Sequence, residues 1–237
     1  EGVDPQAVAD LGKVAAIAVG GNDACVADHT LALMLAVSHR LRESQMQMNA
    51  GSWTILTGAD LYRKTVGIVG LGRIGRGVVQ RLKGFEARLL AVSASPDDEW
   101  SRANGVAHVE LDELLTSSDV VSLHAPLTPE TRMLIDASAL ARMKSTAILV
   151  NTARGGLVDD AALLDALASG RIAGAGLDVF QSESDPSCMS VTRALIALPN
   201  VIATPHSGAS TREGLVRTNR IAAQCVVAVL EGRAPPS

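Results

Sequence analysis

Short runs of β-branched and other aliphatic residues alternate with stretches of helical periodicity along most of the 237 residues. This alternation constrains the fold most, because strands separated by helices form βαβ units, which build parallel sheets. We therefore expect an α/β fold with a doubly wound parallel sheet in three layers, αβα. The predicted strands are Val14–Val19, Thr65–Val69, Arg88–Val92, Val106–Val109, Asp119–Leu123, Ala147–Asn151, Gly174–Val179 and Val201–Ala203.

The longest predicted helix runs from about Ala24 to Asn49, where apolar residues recur at a spacing of three to four. Asp23 is its expected N-cap, and Gly51 lies just past its end. The segment Gln181–Ser190 lacks apolar periodicity and contains Pro186, so it is predicted to be a long mobile loop. The other predicted helices are Ile74–Lys83, Leu111–Leu115, Asp136–Met143, Asp159–Ala168 and Ser210–Leu230.

The composition narrows the classes of function. Hydrophobic residues make up 47% of the chain and aromatic residues only 2%, so the core is expected to be aliphatic, as in parallel sheets covered by helices. A net charge of −4 without a basic cluster argues against a nucleic-acid partner. The apolar runs are too short to span a membrane. Three widely spaced cysteines predict neither a metal site nor a disulfide framework and favour the cytoplasm.

A glycine-rich turn joins the strand Thr65–Val69 to the next predicted helix. Its residues, Gly70-Leu-Gly72-Arg-Ile-Gly75, match G-x-G-x-x-G in the strand-to-helix context that this motif requires. Gly70 permits the tight turn, Gly72 lets the backbone approach a pyrophosphate, and Gly75 permits close packing of helix and strand. The N–H groups and the dipole of the new helix attract phosphate, so the turn predicts a Rossmann-type dinucleotide site.

Ser93 stands after the strand Arg88–Val92, where an NAD-binding fold normally carries an acid that binds the ribose 2′-hydroxyl. Without a carboxylate, the 2′-phosphate of NADP is not repelled. No arginine in the turn Ser93–Pro96 would attract that phosphate either. The sequence therefore leaves the choice between NAD and NADP open.

Four further motifs follow in order, and together with the glycine-rich turn they resemble the D-isomer-specific 2-hydroxyacid dehydrogenases over nearly the whole chain. Gly208-Ala-Ser-Thr211, shortly after the last motif, looks most like the D-3-phosphoglycerate dehydrogenases of that family. The motifs are Pro126-Leu-Thr-Pro-Glu-Thr131, Val150-Asn-Thr-Ala-Arg-Gly-Gly-Leu-Val-Asp159, Gly176-Leu-Asp-Val-Phe180 and Pro199-Asn-Val-Ile-Ala-Thr-Pro-His206.

The resemblance implies a cofactor site and three catalytic residues. Arg154 would bind the substrate carboxylate, Glu183 would pair with the histidine, and His206 would be the acid and base. The implied cofactor-binding residues are Gly70, Gly72, Arg73, Ile74, Gly75, Ser93, Ala125, Pro126, Thr152, Ala153, Arg154, Asp178, His206, Ser207 and Gly208. Asp178 would hold the nicotinamide carboxamide.

The chemistry of 2-oxo acid reduction calls for these residue types. A proton must reach the carbonyl oxygen, and an imidazole with an ordinary pKa near 6.5 can donate it around neutrality. A carboxylate beside the imidazole favours its protonated form and orients the ring. A guanidinium binds a carboxylate through two parallel hydrogen bonds. Glu183, where formate dehydrogenase-like relatives carry glutamine, indicates hydroxy- or oxo-acid chemistry.

Chains of this family usually begin with a substrate domain, which this sequence is expected to lack, since it resembles them from about Gly2-Val3-Asp4 to Pro235-Pro236-Ser237. We expect all 237 residues to form one dinucleotide-binding domain that binds cofactor but is poorly active by itself. The helix Ala24–Asn49 keeps apolar residues such as Met46 and Met48 over much of its surface, which predicts a homodimer.

Two alternatives remain at this stage. The first is a nucleotide-sensing interaction protein like the C-terminal-binding-protein corepressors, which share the fold and the motifs. The second is a relic that binds no nucleotide. The substrate itself, whether phosphoglycerate, hydroxypyruvate or glyoxylate, is not determined by these motifs.

Overall fold

The computed structural model describes residues 3–235. Gly2, Pro236 and Ser237, at the predicted limits of the family resemblance, lie outside them. The chain divides into two compact units, Val26–Gly208 and the combination of Glu1–Cys25 with Ala209–Ser237. The single domain expected over residues 1–237 stays a prediction.

Seven parallel strands form one sheet in the larger unit, in the spatial order β3-β2-β1-β4-β5-β6-β7. Their succession reverses between β1 and β4, which is the arrangement of a doubly wound sheet. The predicted fold class is confirmed. The strands are β1 (Thr65–Val69), β2 (Arg88–Val92), β3 (Val106–His108), β4 (Val120–Leu123), β5 (Ile148–Asn151), β6 (Gly174–Leu177) and β7 (Val201–Ala203).

Ten helices accompany these strands within residues 3–235. Three of them, α1, α5 and α9, were not predicted, because they are short or lie in segments without clear apolar periodicity. The helices are α1 (Pro5–Asp10), α2 (Asp23–Ser38), α3 (Leu41–Asn49), α4 (Arg73–Leu82), α5 (Asp98–Ala103), α6 (Leu111–Ser117), α7 (Ala137–Arg142), α8 (Asp160–Ala168), α9 (Met189–Ala197) and α10 (Arg212–Leu230).

Aliphatic side chains cover both faces of the sheet, because successive residues of a strand point to opposite faces. In β5, Leu149 belongs to a core cluster with residues of α6 to α9, such as Leu140 and Leu163. Its neighbour Val150 belongs to a second cluster with residues of α2 and α4, such as Met34 and Val78. The sheet therefore lies between two helical layers.

The smaller unit contains α1 and α10. Within it, Cys25 is buried, and its sulfur accepts hydrogen bonds of 3.0 Å from the Thr211 hydroxyl and from Arg217 Nη2. Arg217 Nε also donates to the carbonyl oxygen of Gly21 at 3.2 Å. These bonds tie Gly21 and the first turn of α2 to α10.

The predicted strand Val14–Val19 is wrong. This segment has no strand partner among residues 3–235, and Val14 and Ile17 are exposed. A β-branched run forms a strand only where a neighbouring strand completes the hydrogen-bond ladder, which local sequence does not specify.

The predicted continuous helix from Ala24 to Asn49 is also wrong, because the chain turns between α2 and α3. Arg40 adopts a left-handed backbone with φ of 53°. The carbonyl oxygen of Ser38, which would accept from residue 42 in a continuous helix, accepts instead from the N–H of Ala59 at 2.8 Å. A contact distant in sequence therefore ends α2.

The segment Gln181–Ser190 is more regular than the predicted loop. It contains two one-turn 3-10 helices, Gln181–Glu183 and Pro186–Cys188, and α9 begins at Met189. Short-range caps stabilise it, since Asp185 accepts from the Ser187 N–H at 3.0 Å. A single turn is too short to show an apolar period, so the periodicity of the sequence does not predict it.

Gly176 in β6 lies where α2 packs on the sheet, so a substitution at this position tests that packing. A Cβ at this position would lie 2.9 Å from Leu33 Cβ. We expect Gly176→Val to lower the free energy of unfolding by about 1–3 kcal/mol, the usual cost of overpacking. Urea denaturation measures the change. Ala107→Val, at an exposed position of β3, is the control and should change stability by less than about 0.5 kcal/mol; equal effects would contradict the packing argument.

Candidate active site

Six strands of the sheet are followed directly, or within three residues, by a predicted site residue. Gly70 follows β1, Ser93 follows β2, Ala125 follows β4, Thr152 follows β5, Asp178 follows β6 and His206 follows β7. Parallel strands place their carboxyl ends along one edge, where open α/β sheets bind ligands. The fold thus brings the predicted residues to the same edge of the sheet.

The glycine-rich turn has the geometry that its motif predicts. Gly70 has φ of 99°, and a Cβ there would lie 2.6 Å from the backbone nitrogen of Ala125. A Cβ on Gly75 would lie 2.2 Å from the carbonyl oxygen of Gly70. These two positions exclude any larger residue, because the turn is tight and the helix lies against it.

Helix α4 begins directly after the glycine-rich turn. Gly72 is its N-cap and makes no side-chain capping bond. Apart from the neighbouring residues in the chain, no described atom lies within 4 Å of a Cβ placed on Gly72. The first N–H groups of α4 and its dipole therefore suit a pyrophosphate. Arg73 is exposed and Ile74 half-buried at the start of this helix.

Ser93 lies at the end of β2 and starts a turn. Its Oγ is 3.4 Å from the Ser95 N–H and from the Ser95 carbonyl oxygen. The nearest carboxylate along the chain, Asp97, caps α5 through the Trp100 N–H at 3.0 Å and pairs with Arg76 Nη2 at 3.0 Å. The Trp100 N–H and the Arg76 guanidinium lower the pKa of Asp97.

Asp178 is the most elaborately bonded carboxylate at this edge, and it is only 1% exposed. Its Oδ1 accepts from Thr204 Oγ1 at 2.5 Å and from the Ser207 N–H at 2.8 Å, and lies 3.4 Å from His29 Nε2. Its Oδ2 accepts from the Gly208 N–H at 2.8 Å. Oδ1 is thus satisfied within the chain, whereas Oδ2 retains capacity for a further donor.

Although desolvation opposes it, this set of hydrogen bonds lowers the pKa of Asp178 to about 2. The sequence did not single out His29 or Thr204 for this network. Since the Thr204 hydroxyl gives its one proton to Asp178, His29 Nε2 must carry the proton in its 2.9 Å contact with Thr204. Asp178 is therefore a fixed, ionised acceptor.

Glu183 and His206 are in direct contact, as the resemblance implies. Glu183 Oε2 lies 2.6 Å from His206 Nδ1, and Glu183 Oε1 accepts from the Phe180 N–H at 2.8 Å. The His206 backbone is left-handed, with φ of 51°, and its N–H donates to the Asp178 carbonyl oxygen at 2.8 Å. A strained backbone held by neighbouring bonds is typical of functional residues. The imidazole is half exposed, and its Nε2 remains available for a substrate.

Arg154 follows β5 in a turn shaped by Asn151. The Asn151 Nδ2 donates to the Arg154 carbonyl oxygen at 2.9 Å, and the Asn151 Oδ1 accepts from the Ala153 N–H at 3.1 Å. Arg154 Nη1 donates to the Ala153 carbonyl oxygen at 2.7 Å. Thr152 is buried, with its hydroxyl 2.9 Å from that of Thr30. Buried Asn151 was not predicted; it sets the path of this turn.

His124 and Ala125 follow β4 near the glycine-rich turn. The His124 Nε2 lies 2.9 Å from the Ser122 hydroxyl, and burial lowers the pKa of His124 to about 4, so it is neutral at pH 7. Ala125 is buried and Pro126 exposed. His124 is therefore not a proton donor around neutrality.

A cavity in the larger unit lies elsewhere. It has a volume of about 640 Å³ and is lined by residues such as Arg42, Gly58, Ser145 and Asn200, at the edge where the strands begin. None of the predicted site residues lines it. Within residues 3–235, no group of three or more His, Cys, Asp or Glu could hold a metal ion.

The lowered pKa of Asp178 predicts a pH-dependent stability. Its folded pKa of about 2 lies below the ordinary 3.8, so its contribution, about 2 kcal/mol by linkage, is present above pH 3.8 and is lost as the pH falls toward 2. Asp178→Asn should therefore lower stability more at pH 7 than at pH 2. Urea unfolding across this range measures it, with exposed Asp165→Asn as control; a pH-independent difference would contradict the assignment.

Comparison with known proteins agrees with this geometry. The chain is 42% identical over 217 residues to glyoxylate reductase of Korarchaeum cryptofilum, covering 89% of this chain and 64% of that protein. It is 38% identical over 234 residues to D-3-phosphoglycerate dehydrogenase of Archaeoglobus fulgidus, covering 98% and 44% respectively. The chain thus spans about half to two thirds of the length of these relatives.

A solved structure is also similar. The D-lactate dehydrogenase of Aquifex aeolicus, complexed with NAD and lactic acid, matches with a TM-score of 0.87 and 30% identity, over 97% of this chain and 73% of that one. Residues 31–208 match the family model described as D-isomer specific 2-hydroxyacid dehydrogenase, NAD binding domain. The chain therefore belongs to the D-isomer-specific 2-hydroxyacid dehydrogenase family and carries its NAD-binding domain.

Proposed function

We propose that the protein is an oxidoreductase that transfers a hydride between NAD and a D-2-hydroxy acid or its 2-oxo acid. The observation that carries this proposal is the 2.6 Å contact between Glu183 and His206 at the edge of the sheet that also bears the glycine-rich turn. A nucleotide-binding edge with an acid–base pair beside it is what such a reaction requires. The chain contributes the cofactor-binding part.

The residues at this edge fit a dinucleotide. Gly70, Gly72 and Gly75, with Arg73 and Ile74, would hold the pyrophosphate at the N-terminus of α4. Ser93 would lie near the ribose. Ala125 and Pro126 would lie along the cofactor, and Thr152, Ala153, Arg154, His206, Ser207 and Gly208 would surround the nicotinamide end. When bound, the nicotinamide supplies or accepts the hydride.

Asp178 would receive the carboxamide N–H at Oδ2. That oxygen accepts only the Gly208 N–H within the described chain, so one lone pair is available. The ionised state of Asp178 suits this role, because a carboxylate accepts hydrogen bonds without offering a competing donor.

His206 and Glu183 would move the proton. Glu183 Oε2 holds the Nδ1–H of His206, which leaves Nε2 to donate to the carbonyl oxygen in reduction and to accept from the hydroxyl in oxidation. Through this contact the Glu183 carboxylate orients the ring. Arg154, whose turn is fixed by Asn151, would bind the substrate carboxylate.

The substrate class we propose is small 2-hydroxy and 2-oxo acids, including 3-phosphoglycerate. Relatives of this chain carry the names glyoxylate reductase and D-3-phosphoglycerate dehydrogenase. None of the comparisons above supports the alternative of a corepressor-like interaction protein. We also propose that both compact units belong to one dinucleotide-binding domain over residues 1–237, since the Aquifex dehydrogenase matches 97% of the chain.

The proposal predicts nucleotide binding and a specific role for Ser93. We expect NADH to bind the purified chain, as measured by nicotinamide fluorescence in parallel titrations with NADH and NADPH. Ser93→Asp should weaken NADPH binding by about tenfold or more, because a carboxylate near the ribose repels a 2′-phosphate. NADH binding should change by less than about threefold.

Ser145→Asp is the matched control for this titration. It makes the same charge change at an exposed position before β5, at the opposite edge of the sheet, and should leave both affinities unchanged. If the fluorescence of neither NADH nor NADPH changes, the result contradicts the proposed function and favours a relic that binds no nucleotide. An equal response of both variants would contradict the placement of Ser93 near the ribose.

We further propose that the protein is a homodimer in the cytoplasm. Helix α3 buries none of its residues, and Met46 is 50% exposed. Beyond it, Trp53 is 84% and Ile55 92% exposed, an apolar area that a second copy would cover. The three cysteines are free thiols, as suits a reducing compartment. No helix within residues 3–235 is long and apolar enough to cross a membrane.

The dimer proposal predicts dissociation on charging this surface. We expect the wild-type chain to sediment as a dimer at micromolar concentration and the double variant Trp53→Glu, Ile55→Glu as a monomer, because two carboxylates would be buried unpaired in the interface. Leu230→Glu changes a similarly exposed residue at the end of α10 and should leave the dimer intact. A wild-type monomer would contradict the proposal.

A further inference from the structure

Asp160 is a buried carboxylate that the proposed chemistry does not use. It is 3% exposed and begins α8. The capping of that helix is done by its neighbour Asp159, whose Oδ1 accepts from the N–H groups of Ala161 at 3.0 Å and Ala162 at 3.1 Å. The Asp160 carboxylate is therefore not needed as the N-cap of α8, and its hydrogen-bond partner lies in another segment of the chain.

That partner is Gln181, which begins the 3-10 turn Gln181–Glu183. Asp160 Oδ2 accepts from the Gln181 backbone N–H at 3.0 Å, and Gln181 Oε1 accepts from the Asp160 backbone N–H at 3.2 Å. Each of these residues thus uses its side chain to accept a hydrogen bond from the backbone N–H of the other. The arrangement is similar to a capping box, but it joins the N-termini of two helical segments that are distant in sequence. The pair fixes the position of the Gln181 peptide.

The same peptide is confined from a second side. A Cβ on Gly155, the residue after Arg154, would lie 2.0 Å from the carbonyl carbon of Phe180 and 2.6 Å from the Gln181 nitrogen. The peptide between Phe180 and Gln181 therefore lies directly against the turn that carries Arg154. On its other side it is bound to Asp160.

This peptide is bonded to Glu183, whose backbone N–H donates to the Phe180 carbonyl oxygen at 3.2 Å. Glu183 Oε1 accepts from the Phe180 N–H at 2.8 Å, and Oε2 contacts His206 Nδ1. Displacement of the turn would change both contacts of the carboxylate, because Glu183 lies within one turn of the peptide that Asp160 holds.

We propose that Asp160 is a positioning residue for the Glu183–His206 pair: by holding the Gln181 N–H, it fixes the turn that presents Glu183 to the imidazole. This inference rests on the proposed function only in giving that pair a role in proton transfer. The contact itself is a matter of structure.

The electrostatic setting of Asp160 supports this inference. Burial, together with the negative Asp159 and Glu183 nearby, raises the pKa of Asp160 to about 6, and the Gln181 N–H acts in the opposite direction. A buried carboxylate of this kind costs stability, and an apolar residue would fill the same space without that cost. Its bond to Gln181 is what the carboxylate supplies.

The test follows the Nδ1–H proton of His206 by NMR in the ¹⁵N-histidine-labelled 237-residue chain, with the resonance assigned by its loss in His206→Gln. We expect the wild-type proton to exchange slowly with water because Glu183 holds it. In Asp160→Ala, exchange should accelerate at least about tenfold, which corresponds to about 1.4 kcal/mol. Asp160→Asn should retain slow exchange, since its Oδ1 still accepts from Gln181.

Gln181→Pro provides a second variant, which removes the backbone donor to Asp160 and also the side-chain Oε1 that accepts from the Asp160 N–H. Proline suits the first position of a helical turn, and Phe180, with φ of −140° and ψ of 154°, already has the extended backbone required before proline. Exposed Asp165→Asn, on the same helix, removes a charge without touching the turn and should behave as wild type.

Unchanged slow exchange in a folded Asp160→Ala or Gln181→Pro chain would overturn the positioning role, with folding checked by circular dichroism. Accelerated exchange in Asp165→Asn as well would also overturn it, because the effect would then be general. The measurement needs neither nucleotide nor turnover. A chain that passes this test but binds no NADH would refute the proposed function alone.

Discussion

Parallel pairing of seven strands places all their carboxyl ends along one edge of the sheet. Residues separated by more than a hundred positions, such as Gly70 and His206, lie along the same edge because each follows a strand of the same direction. The ladder continues past the strand ends: the Asp178 N–H donates to the Asn151 carbonyl oxygen at 2.9 Å, and the Thr204 N–H donates to that of Leu177 at 2.9 Å. The site is thus an extension of the sheet.

Two buried carboxylates organise this edge in opposite electrostatic regimes. Asp178 is surrounded by donors, which keep it ionised. Asp160 has one backbone donor, and its burial, together with two negative neighbours, makes ionisation less favourable. The first presents an acceptor to a ligand, and the second ties two turns of the chain together. Asp178 follows the end of β6 and Asp160 begins α8. These different surroundings explain why two identical side chains have different roles.

The segments predicted well are those in which local pattern and tertiary environment agree. The strand β1 and the turn Gly70–Gly75 combine an apolar run with glycines at fixed offsets, and both form as predicted. Val14–Val19 has an equally apolar run but no neighbouring strand, and forms none. The break at Arg40 depends on the Ala59 N–H, 19 residues further on, which no periodicity within the helix records.

By itself, the sequence determined the fold class, the glycine-rich turn and the family, because these depend on residue types at short, fixed spacings. It also named Arg154, Asp178, Glu183 and His206, through motifs whose roles stay predictions. Only the tertiary structure decided which groups support them: His29 and Thr204 on Asp178, Asn151 beneath Arg154, and Asp160 with Gln181 beside Glu183. Those partners are brought together by strand order and helix packing, and hydrogen bonds between distant segments leave no period or spacing in the chain.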